Sequence, residues 1–528
     1  MYDIVLEKVL IYDGSGGKPY RGNLAVEDGR IAAIGDCSGP ARRVIHGEGL
    51  AAAPGLIDVH THNDNTLLWD RQMASALYQG VTTQVTGMCG LGLIPSRREE
   101  IPHILGFYGA ILGGHGEKTP PYSDIDQYLS LAEGAAVNVA AAVNHSALRI
   151  FAGGWNSVPY GEIAPVMKEE LRRNLRMGAV GLSVGLDYFP ACTLNVTTEE
   201  LVDLARVAAE EDALLLTHIR PAGYGIDPLA EMDQVARQSG VKLHILHTKT
   251  AYPATCGHPE AISGRFDKAN REGADVTMEF YPYPCWETYA LYFVPYWVQE
   301  GGFASMMARL TDPALRPRLA REIEERYRQV VGIYQPAVCS CARGCPQYEG
   351  LTFDQLCALR SHGMGEMILD LLVETKLSFG ALASDVADPA VARQLQDDYM
   401  TLFQKPYYTV SSDSITAGGF PHPRVFGTFG KIFRLTREYG LPLEQTVYKL
   451  TRFNADRFGL ADRGRLEAGC WADVMVFDPA SIRDRSDYTL PRQPAEGVAY
   501  LLVNGRVALE EGRPNGILAG QALRRSRA

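Results

Sequence analysis

Short apolar runs alternate with amphipathic stretches through the middle of the chain. Eight runs have the length of a buried strand, and apolar residues recur at helical spacing between several of them. The runs cover residues 55–62, 81–87, 137–146, 179–186, 213–219, 241–250, 275–283 and 407–413. This pattern predicts an α/β fold of the (β/α)8 TIM-like barrel class. An open doubly wound sheet is the alternative, although no G-x-G-x-x-G follows the first strand.

Two of the helical stretches carry end signals of their own. Residues 197–212 begin with two threonines followed by glutamates, which predicts an N-cap at Thr197 or Thr198. Residues 228–240 end on Gly240, which is typical of a helix C-cap.

The two ends of the chain have a different pattern. Short, partly alternating apolar segments separated by glycine turns occupy the first 50 residues or so and recur after residue 463. Asn504-Gly505 between two such segments predicts a hairpin with a type I′ turn. We therefore expect a small β-sandwich domain formed by both chain ends, residues 1–53 and 463–528, around a barrel of residues 54–462.

One connection in the middle is much longer than the others. More than 120 residues separate the seventh and eighth predicted strands, which predicts an insertion at about residues 285–406. Long insertions in compact folds are usually lids or binding loops. In a barrel, an insertion that follows a strand would lie over the active-site face.

Composition narrows the classes of function. The 528 residues are 46% hydrophobic and 21% charged, which excludes a disordered chain. The net charge of −11 and the lack of a long basic run argue against nucleic acid as a partner, and no apolar run is long enough for a membrane span. Acidic residues near the start and ten dispersed cysteines favour a cytoplasmic protein with free thiols or metal ligands. A small-molecule substrate is the expected partner, and the oligomeric state is not predicted.

Metal-ligating side chains follow several of the predicted strands. His60 and His62 lie on one side of the first strand because strand side chains alternate. His218, His247 and Asp413 end the fifth, sixth and eighth strands, where barrel enzymes place their chemistry. Imidazole and carboxylate are ligands for Zn²⁺. Each residue alone could equally be a buried hydrogen-bonded group, but their shared position predicts a metal centre. Asp58 and Asp64, which flank the histidine pair, are candidate partners of the ligands.

Cys89 lies in a glycine-rich loop after the second predicted strand. A free cysteine is more often a buried structural residue than a ligand. Here Gly87 and Gly90 flank it and would permit a close backbone approach. A thiolate at this position could bind one zinc ion or bridge two.

Long motifs resemble one enzyme family. They are PGLIDVHTHND, GVTTQVTGMCGLGLIP, GLSVGLDYFPA, ILHTKT, YPY, HPRVFGTFGKI and FGLADRGRLEAGCWADVMVFDP, and they run in order along nearly the whole chain. They resemble the amidohydrolase superfamily, and more closely its D-aminoacylase (N-acyl-D-amino-acid deacylase) family. The resemblance implies the barrel, the β-sandwich of both chain ends and one or two Zn²⁺ ions.

The resemblance also assigns the metal ligands. His60, His62 and Asp413 would hold one metal, and His218 and His247 the other. Cys89 would stand where many relatives use a carboxylated lysine on the fourth strand, and that strand has no lysine here.

The implied reaction is hydrolysis of an N-acyl amide bond by metal-bound hydroxide. Asp413 would act as general base and then as general acid. The substrate carboxylate would be held by Lys249, Arg424 and a tyrosine, for which Tyr281 is favoured over Tyr283. His145 also matches the family and would either bind substrate or be a buried hydrogen-bonded residue.

The chain departs from the family at two places. After YPY, the family commonly has small and hydroxyl residues, whereas Cys285, Trp286 and Glu287 stand near that position here. Glu287 would disfavour acidic substrate side chains or attract basic ones. The insertion also contains four cysteines, expected to be free thiols rather than a second metal site: Cys339, Cys341, Cys345 and Cys357.

Three other functions remain open at this point. A cyclic-amide (hydantoinase-like) hydrolase would require a lysine on the fourth strand, which is absent here. A deaminase would commonly use one metal and no bridging ligand. A non-catalytic scaffold relative would usually have lost ligands, and this chain retains every ligand position.

Overall fold

A computed structural model describes residues 1–37, 39–113, 120–221, 225–332, 334, 337–384 and 386–526. The strands are β1 Tyr2–Ile11, β2 Tyr20–Glu27, β3 Arg30–Gly35, β4 Ala41–His46, β5 Ala51–Pro54, β6 Leu56–Asp58, β7 Val81–Thr86, β8 Asn138–Ala141, β9 Val143–Asn144, β10 Gly181–Gly185, β11 Leu214–His218, β12 Lys242–Ile245, β13 Val276–Phe280, β14 Glu287–Tyr289, β15 Val338–Ala342, β16 Phe379–Leu382, β17 Tyr408–Val410, β18 Val474–Phe477, β19 Val498–Val503, β20 Arg506–Glu510 and β21 Arg513–Pro514.

The α-helices are α1 Ala74–Leu77, α2 Ile101–Leu112, α3 Ile125–Ala132, α4 His145–Gly153, α5 Tyr160–Arg176, α6 Thr198–Glu210, α7 Pro228–Ser239, α8 Glu260–Arg271, α9 Tyr296–Gln299, α10 Gly302–Thr311, α11 Arg316–Val331, α12 Phe353–Arg360, α13 Met364–Glu374, α14 Pro389–Phe403, α15 Arg424–Glu438, α16 Leu443–Leu450 and α17 Arg452–Phe458. Three short 3-10 helices cover Thr66–Leu68, Ala290–Phe293 and Pro346–Tyr348. No helix of the described ranges is both long and apolar enough to cross a bilayer.

Each of the eight predicted apolar runs contains a strand. Strands β6, β7 and β8 form one parallel sheet, and β9 to β13 with β17 form a second parallel sheet in chain order. Ala142 alone separates β8 from β9. At the other edge, His62 N–H donates to Ser414 O at 2.8 Å and Asp413 N–H donates to His60 O at 2.9 Å. The ends of the first and last strands therefore meet, which brings their polar side chains together.

Helices connect these strands and end where the sequence signals predict. Thr197 caps α6, since its side chain accepts a hydrogen bond from Glu200 N–H. Gly240 closes α7 in the left-handed conformation, with φ of 70°. Both predicted helix ends are confirmed.

The two chain ends share one sheet of nine strands. Its order is β21-β20-β19-β18-β5-β1-β2-β3, with β4 paired to β1. The join is antiparallel, between β5 near residue 52 and β18 near residue 475. The predicted hairpin is confirmed, because Asn504 and Gly505 both have the positive φ of a type I′ turn, 48° and 77°.

The long connection after β13 has its own small sheet and helices. Strands β14, β16 and β15 form an antiparallel sheet that lies with helices α9 to α13. Its core includes an aromatic stack in which Phe353 lies between Tyr327 and Phe379, at centroid distances of 5.7 and 5.1 Å. Strand β14 begins only seven residues after β13 ends. The added sheet therefore starts at the edge where the parallel strands end.

Candidate metal centre and active site

The His-x-His pair lies directly after β6 and both rings point to one place. His60 and His62 are buried, and their Nε2 atoms are 3.4 Å apart. The alternation of an extended chain puts both imidazoles on one side, as the sequence predicts.

Asp413 lies against this pair. Its Oδ1 atom is 3.1 Å from His60 Nε2 and 3.2 Å from His62 Nε2, and its Oδ2 atom is 2.8 Å from Arg424 Nη1. Burial alone would raise the pKa of Asp413, but Arg424 and His60 outweigh it and hold that pKa well below its ordinary value. Asp413 is therefore an ionised carboxylate in a buried position.

Cys89 lies between the two pairs of histidines. Its Sγ atom is 3.5 Å from His60 Nε2 and 3.4 Å from His247 Nε2. Burial opposes ionisation of the thiol, yet His60 and His247 lower the pKa of Cys89 well below its usual value. This environment favours a thiolate, the form that binds metals.

Glycines allow the Cys89 turn to lie on strand β10. Cys89 itself has φ of 53°. A Cβ atom on Gly185 would lie 1.8 Å from Cys89 O, and one on Gly90 would lie 2.6 Å from Gly185 N. Ser183 Oγ also accepts a hydrogen bond from Gly90 N–H at 3.0 Å. Strand β10 therefore supports the turn that carries Cys89.

His218 and His247 complete the cluster at the ends of β11 and β12. Their ring centroids are 4.6 Å apart. His218 Nε2 is 3.1 Å from Asp187 Oδ2, while its buried Nδ1 atom has no hydrogen-bond partner among the described residues. One ring nitrogen of His218 is thus held by a carboxylate and the other is open, an arrangement typical of metal-ligating histidines.

These donors fit a zinc centre. Two groups have ligand atoms within 4.8 Å of one another, His60 with His62 and Cys89, and Cys89 with His218 and His247. They share Cys89, and imidazole, thiolate and carboxylate are the ligand types that Zn²⁺ prefers. The insertion cysteines belong to no such group within the described part of the chain.

Glu279 has a role that the sequence interpretation missed. Its Oε1 atom is 2.8 Å from His60 Nδ1 and accepts a hydrogen bond from His247 N–H at 2.7 Å, and Ser411 Oγ donates to Oε2. One carboxylate therefore orients residues from both histidine pairs. The available signal was a buried acid in the apolar strand β13. Of the predicted flanking partners, Asp58 accepts hydrogen bonds from Ser412 N–H and Oγ, at 2.9 and 2.5 Å, and a longer one from His60 N–H at 3.5 Å.

A cavity of about 300 Å³ opens from the donor cluster. Its inner wall contains His218, His247, Asp413 and Tyr281. The insertion contributes the outer wall, with Trp286, Glu287, Thr288, Tyr292 and Val330. The long connection therefore forms part of the cavity wall.

Arg424 does not line the cavity itself but contacts two residues that do, Asp413 and Tyr281. Its side chain is 1% exposed and its guanidinium lies 4.6 Å from the Tyr281 ring centroid. The contact with Asp413 is an ion pair outside hydrogen-bond geometry, so Nε, Nη1 and Nη2 have no hydrogen-bond partner among the described residues. A buried cation with unpaired donors is costly unless a ligand uses them.

The other predicted substrate residues lie in different settings. Lys249 Nζ is 3.3 Å from the centroid of the Tyr281 ring and donates a hydrogen bond to Tyr283 O. Lys249 does not line the cavity. Burial lowers the pKa of Lys249 well below its usual value, and Arg424 lowers it further. Tyr281 lines the cavity, whereas the Tyr283 ring packs against His422 and Tyr488.

His145 lies in a buried network behind the Cys89 turn. His145 Nε2 is 2.8 Å from Glu200 Oε1, and Arg149 pairs with both oxygens of the same carboxylate. His145 does not line the cavity described above.

Comparisons with known proteins identify the family of the chain. The amidohydrolase family profile matches residues 43–509. The chain is 31% identical to D-aminoacylase of Alcaligenes xylosoxydans xylosoxydans over all of this chain and 98% of that protein, and 31% identical to N-acyl-D-glutamate deacylase of the same organism over 99% and 96%.

Solved structures show the same relationship. N-acyl-D-glutamate deacylase of Bordetella bronchiseptica, in complex with zinc and a phosphonate inhibitor, superposes with a TM-score of 0.81 at 30% identity, covering 99% of both chains. A D-aminoacylase superposes with a TM-score of 0.80 at 27% identity, covering 99% of this chain and all of that one. A D-hydantoinase, at 16% identity and a TM-score of 0.58, shares the fold alone. The chain therefore belongs to the amidohydrolase family, and within it to the group of the D-aminoacylases.

Proposed function

We propose that this protein is a zinc-dependent hydrolase that cleaves the amide bond of N-acyl-D-amino acids to a carboxylic acid and a free D-amino acid. The main support for this proposal is that two histidine pairs, Cys89 and Asp413 come together at the inner end of one cavity. The relatives are named as deacylases of D-amino acids, and a zinc complex is known for one. The D configuration rests on those relatives.

The proposed metal residues are His60, His62, Cys89, His218, His247 and Asp413. Zinc held by these side chains supplies a Lewis acid that polarises the amide carbonyl and lowers the pKa of water. One relative is described as having a binuclear centre with one-metal activation, which supports a count of one or two.

Asp413 is the proposed proton carrier. It is ionised and lies on the cavity wall, so it can accept a proton from the attacking water. The same carboxyl group then donates that proton to the departing amide nitrogen. Arg424, 2.8 Å away, keeps Asp413 in the ionised form between turnovers.

The α-carboxylate of the substrate is proposed to bind at Arg424 and Tyr281. The unpaired guanidinium donors can hold a carboxylate by two parallel hydrogen bonds. Lys249 supports this site indirectly, because its Nζ atom packs against the ring of Tyr281 as the Arg424 guanidinium does. Tyr283 packs against His422 and His145 bonds to Glu200, and neither residue lines the cavity. Any role for them in substrate binding would be indirect.

We also infer that the parallel strands β6 to β13 and β17, with β8 and β9 counted as one interrupted strand, close into a (β/α)8 barrel. Support comes from the hydrogen bonds between the His60–His62 and Asp413–Ser414 segments and from the single residue between β8 and β9. The nine-stranded sheet of both chain ends supports the proposed division at residues 53 and 463.

The experiment that tests the function is a hydrolysis assay on zinc-loaded enzyme with paired N-acetyl-D- and N-acetyl-L-amino acids. We expect turnover of D-isomers alone, lost on chelation and recovered with added zinc. Cyclic amides form the second arm, because hydantoinase-like activity is the remaining alternative. The described strand β10 carries no lysine, which disfavours that alternative. Turnover of cyclic amides without turnover of N-acetyl-D-amino acids would overturn the proposal.

Arg424→Lys tests the carboxylate site. Lysine keeps the charge but cannot form two parallel hydrogen bonds, so kcat/KM for an N-acetyl-D-amino acid should fall by about 100-fold. The matching substrate with a neutral α-carboxamide serves as the control, and its kcat/KM should change much less. Equal losses for both substrates would contradict binding of the carboxylate by Arg424.

A further inference from the structure

Glu287 is a buried acid that the proposed chemistry does not use. It begins strand β14 of the insertion, is 7% exposed and lines the outer wall of the cavity. Its Oε2 atom accepts a hydrogen bond from His422 N–H at 3.2 Å, and the Ser340 side chain also interacts with the carboxyl group and lowers its pKa. The Oε1 atom has no hydrogen-bond partner of normal geometry among the described residues. A carboxylate in such a position needs a counter-charge or a donor.

The cations near this wall are engaged elsewhere. Arg220, which lines the same cavity, pairs with Glu231 at 2.7 Å and donates to the backbone oxygens of Thr193 and Val196. Arg424 lies 2.8 Å from Asp413, and its positive charge also lowers the pKa of Glu287 from a longer distance. Over the described ranges, Glu287 forms no ion pair within 4.0 Å, so no cation of the protein contacts it directly.

The surroundings of Glu287 suit a positively charged group. Tyr188 and Trp286 line the same cavity, and aromatic rings of this kind attract cations. Tyr292 also lines it, and its ring already has the Arg326 guanidinium 5.1 Å from its centroid. Asp187 adds a second buried carboxylate to the wall. Its Oδ2 atom is held by His218 Nε2 and the Tyr292 hydroxyl, at 3.1 and 3.3 Å, and its Oδ1 atom has no hydrogen-bond partner within the described part of the chain. Aromatic rings combined with unpaired carboxylate oxygens are the usual surroundings of a bound ammonium or guanidinium group.

We propose that Glu287 selects N-acyl-D-amino acids whose side chain ends in an ammonium or guanidinium group. This inference rests on the proposed deacylase function and adds its substrate class. A D-glutamate or D-aspartate side chain would instead bring a second negative charge to a buried acidic wall, at a cost in binding. The chain would therefore differ in specificity from two of the relatives to which it is similar.

The protonation of Glu287 agrees with this role. Burial raises the pKa of Glu287 to about 7, against the opposing effects of Arg424 and the His422 N–H group. The carboxyl group of the free enzyme is thus only partly ionised at neutral pH. A cationic side chain would favour the ionised form and lower this pKa, whereas an anionic side chain would raise it.

The test is a comparison of kcat/KM at pH 8 for N-acetyl-D-lysine, N-acetyl-D-arginine, N-acetyl-D-norleucine and N-acetyl-D-glutamate. We expect the two cationic substrates to exceed norleucine by at least about tenfold, and glutamate to be the poorest. Glu287→Gln should remove most of this preference and leave the rate on norleucine within about threefold. The norleucine rate also shows that the variant is folded and holds its metal.

Glu325→Gln is the matched control, because Glu325 is an exposed acid on α11 of the same insertion and does not line the cavity. It should keep the full preference for cationic side chains. A wild-type enzyme that prefers neutral or acidic D-substrates, or a preference unchanged in Glu287→Gln, would overturn the assignment of Glu287 and leave the deacylase function standing. Failure to hydrolyse any N-acetyl-D-amino acid would overturn both.

Discussion

Asp413→Asn should lower kcat for N-acetyl-D-amino acids by about 10³-fold, the range of a lost general acid and base. Asparagine has nearly the same shape, so the contacts with His60 and His62 can largely persist, while the ion pair with Arg424 is lost. The amide cannot take the proton of the attacking water, and the leaving nitrogen then receives none. The measurement is kcat at saturating substrate, together with the zinc content of the purified variant.

Asp354→Asn provides the control for Asp413→Asn, since Asp354 is an exposed acid in the first turn of α12. It should retain the wild-type kcat. If Asp413→Asn binds zinc normally and keeps more than a tenth of the wild-type kcat, Asp413 is not the proton carrier.

Cys89→Ala should weaken zinc binding by more than about 100-fold. Even the loss of a residue that only hydrogen-bonds to a metal ligand lowers metal affinity about 10- to 100-fold. The thiolate lies between His60 and His247 and belongs to both candidate ligand groups. Its removal leaves each group one ligand short and removes the negative charge that offsets the metal. Zinc affinity is measured by competition with a chelator, and activity should fall in parallel at limiting zinc.

Cys192→Ala separates the loss of a ligand from the loss of a buried thiol. Cys192 is also fully buried, and burial raises the pKa of its thiol to about 11, so it is a neutral packing residue. This variant should bind zinc as the wild type does, with at most a small loss of thermal stability. Equal zinc affinity in Cys89→Ala and the wild type would exclude Cys89 as a ligand.

The positions of the candidate ligands could be predicted because strand ends meet at one edge of a parallel sheet. A strand can be recognised from its apolar residues, and the polar residue that follows it is then placed without knowledge of the packing. His60, His62, His218, His247 and Asp413 all follow this rule. Cys89 needed only the further signal of its flanking glycines.

Residues whose role depends on side-chain direction could not be predicted in the same way. Glu279 and Asp187 hold candidate ligand histidines through contacts between segments far apart in the chain, and no spacing in the sequence encodes such contacts. Lys249 lies two residues after His247, yet its side chain turns toward the Tyr283 carbonyl instead of the cavity. The choice between substrate binding and a buried hydrogen bond for His145 depends on its partner Glu200, which lies 55 residues away in the sequence.

The sheet shared by both chain ends has a consequence for folding during synthesis. Strand β5 pairs with β18, about 420 residues later, so one edge of the N-terminal strands stays unpaired until nearly the whole chain has been made. Exposed strand edges are sites of intermolecular pairing. The N-terminal strands are therefore prone to aggregation until synthesis is nearly complete. A chain that is truncated before β18 should be insoluble, even though it contains every proposed metal ligand.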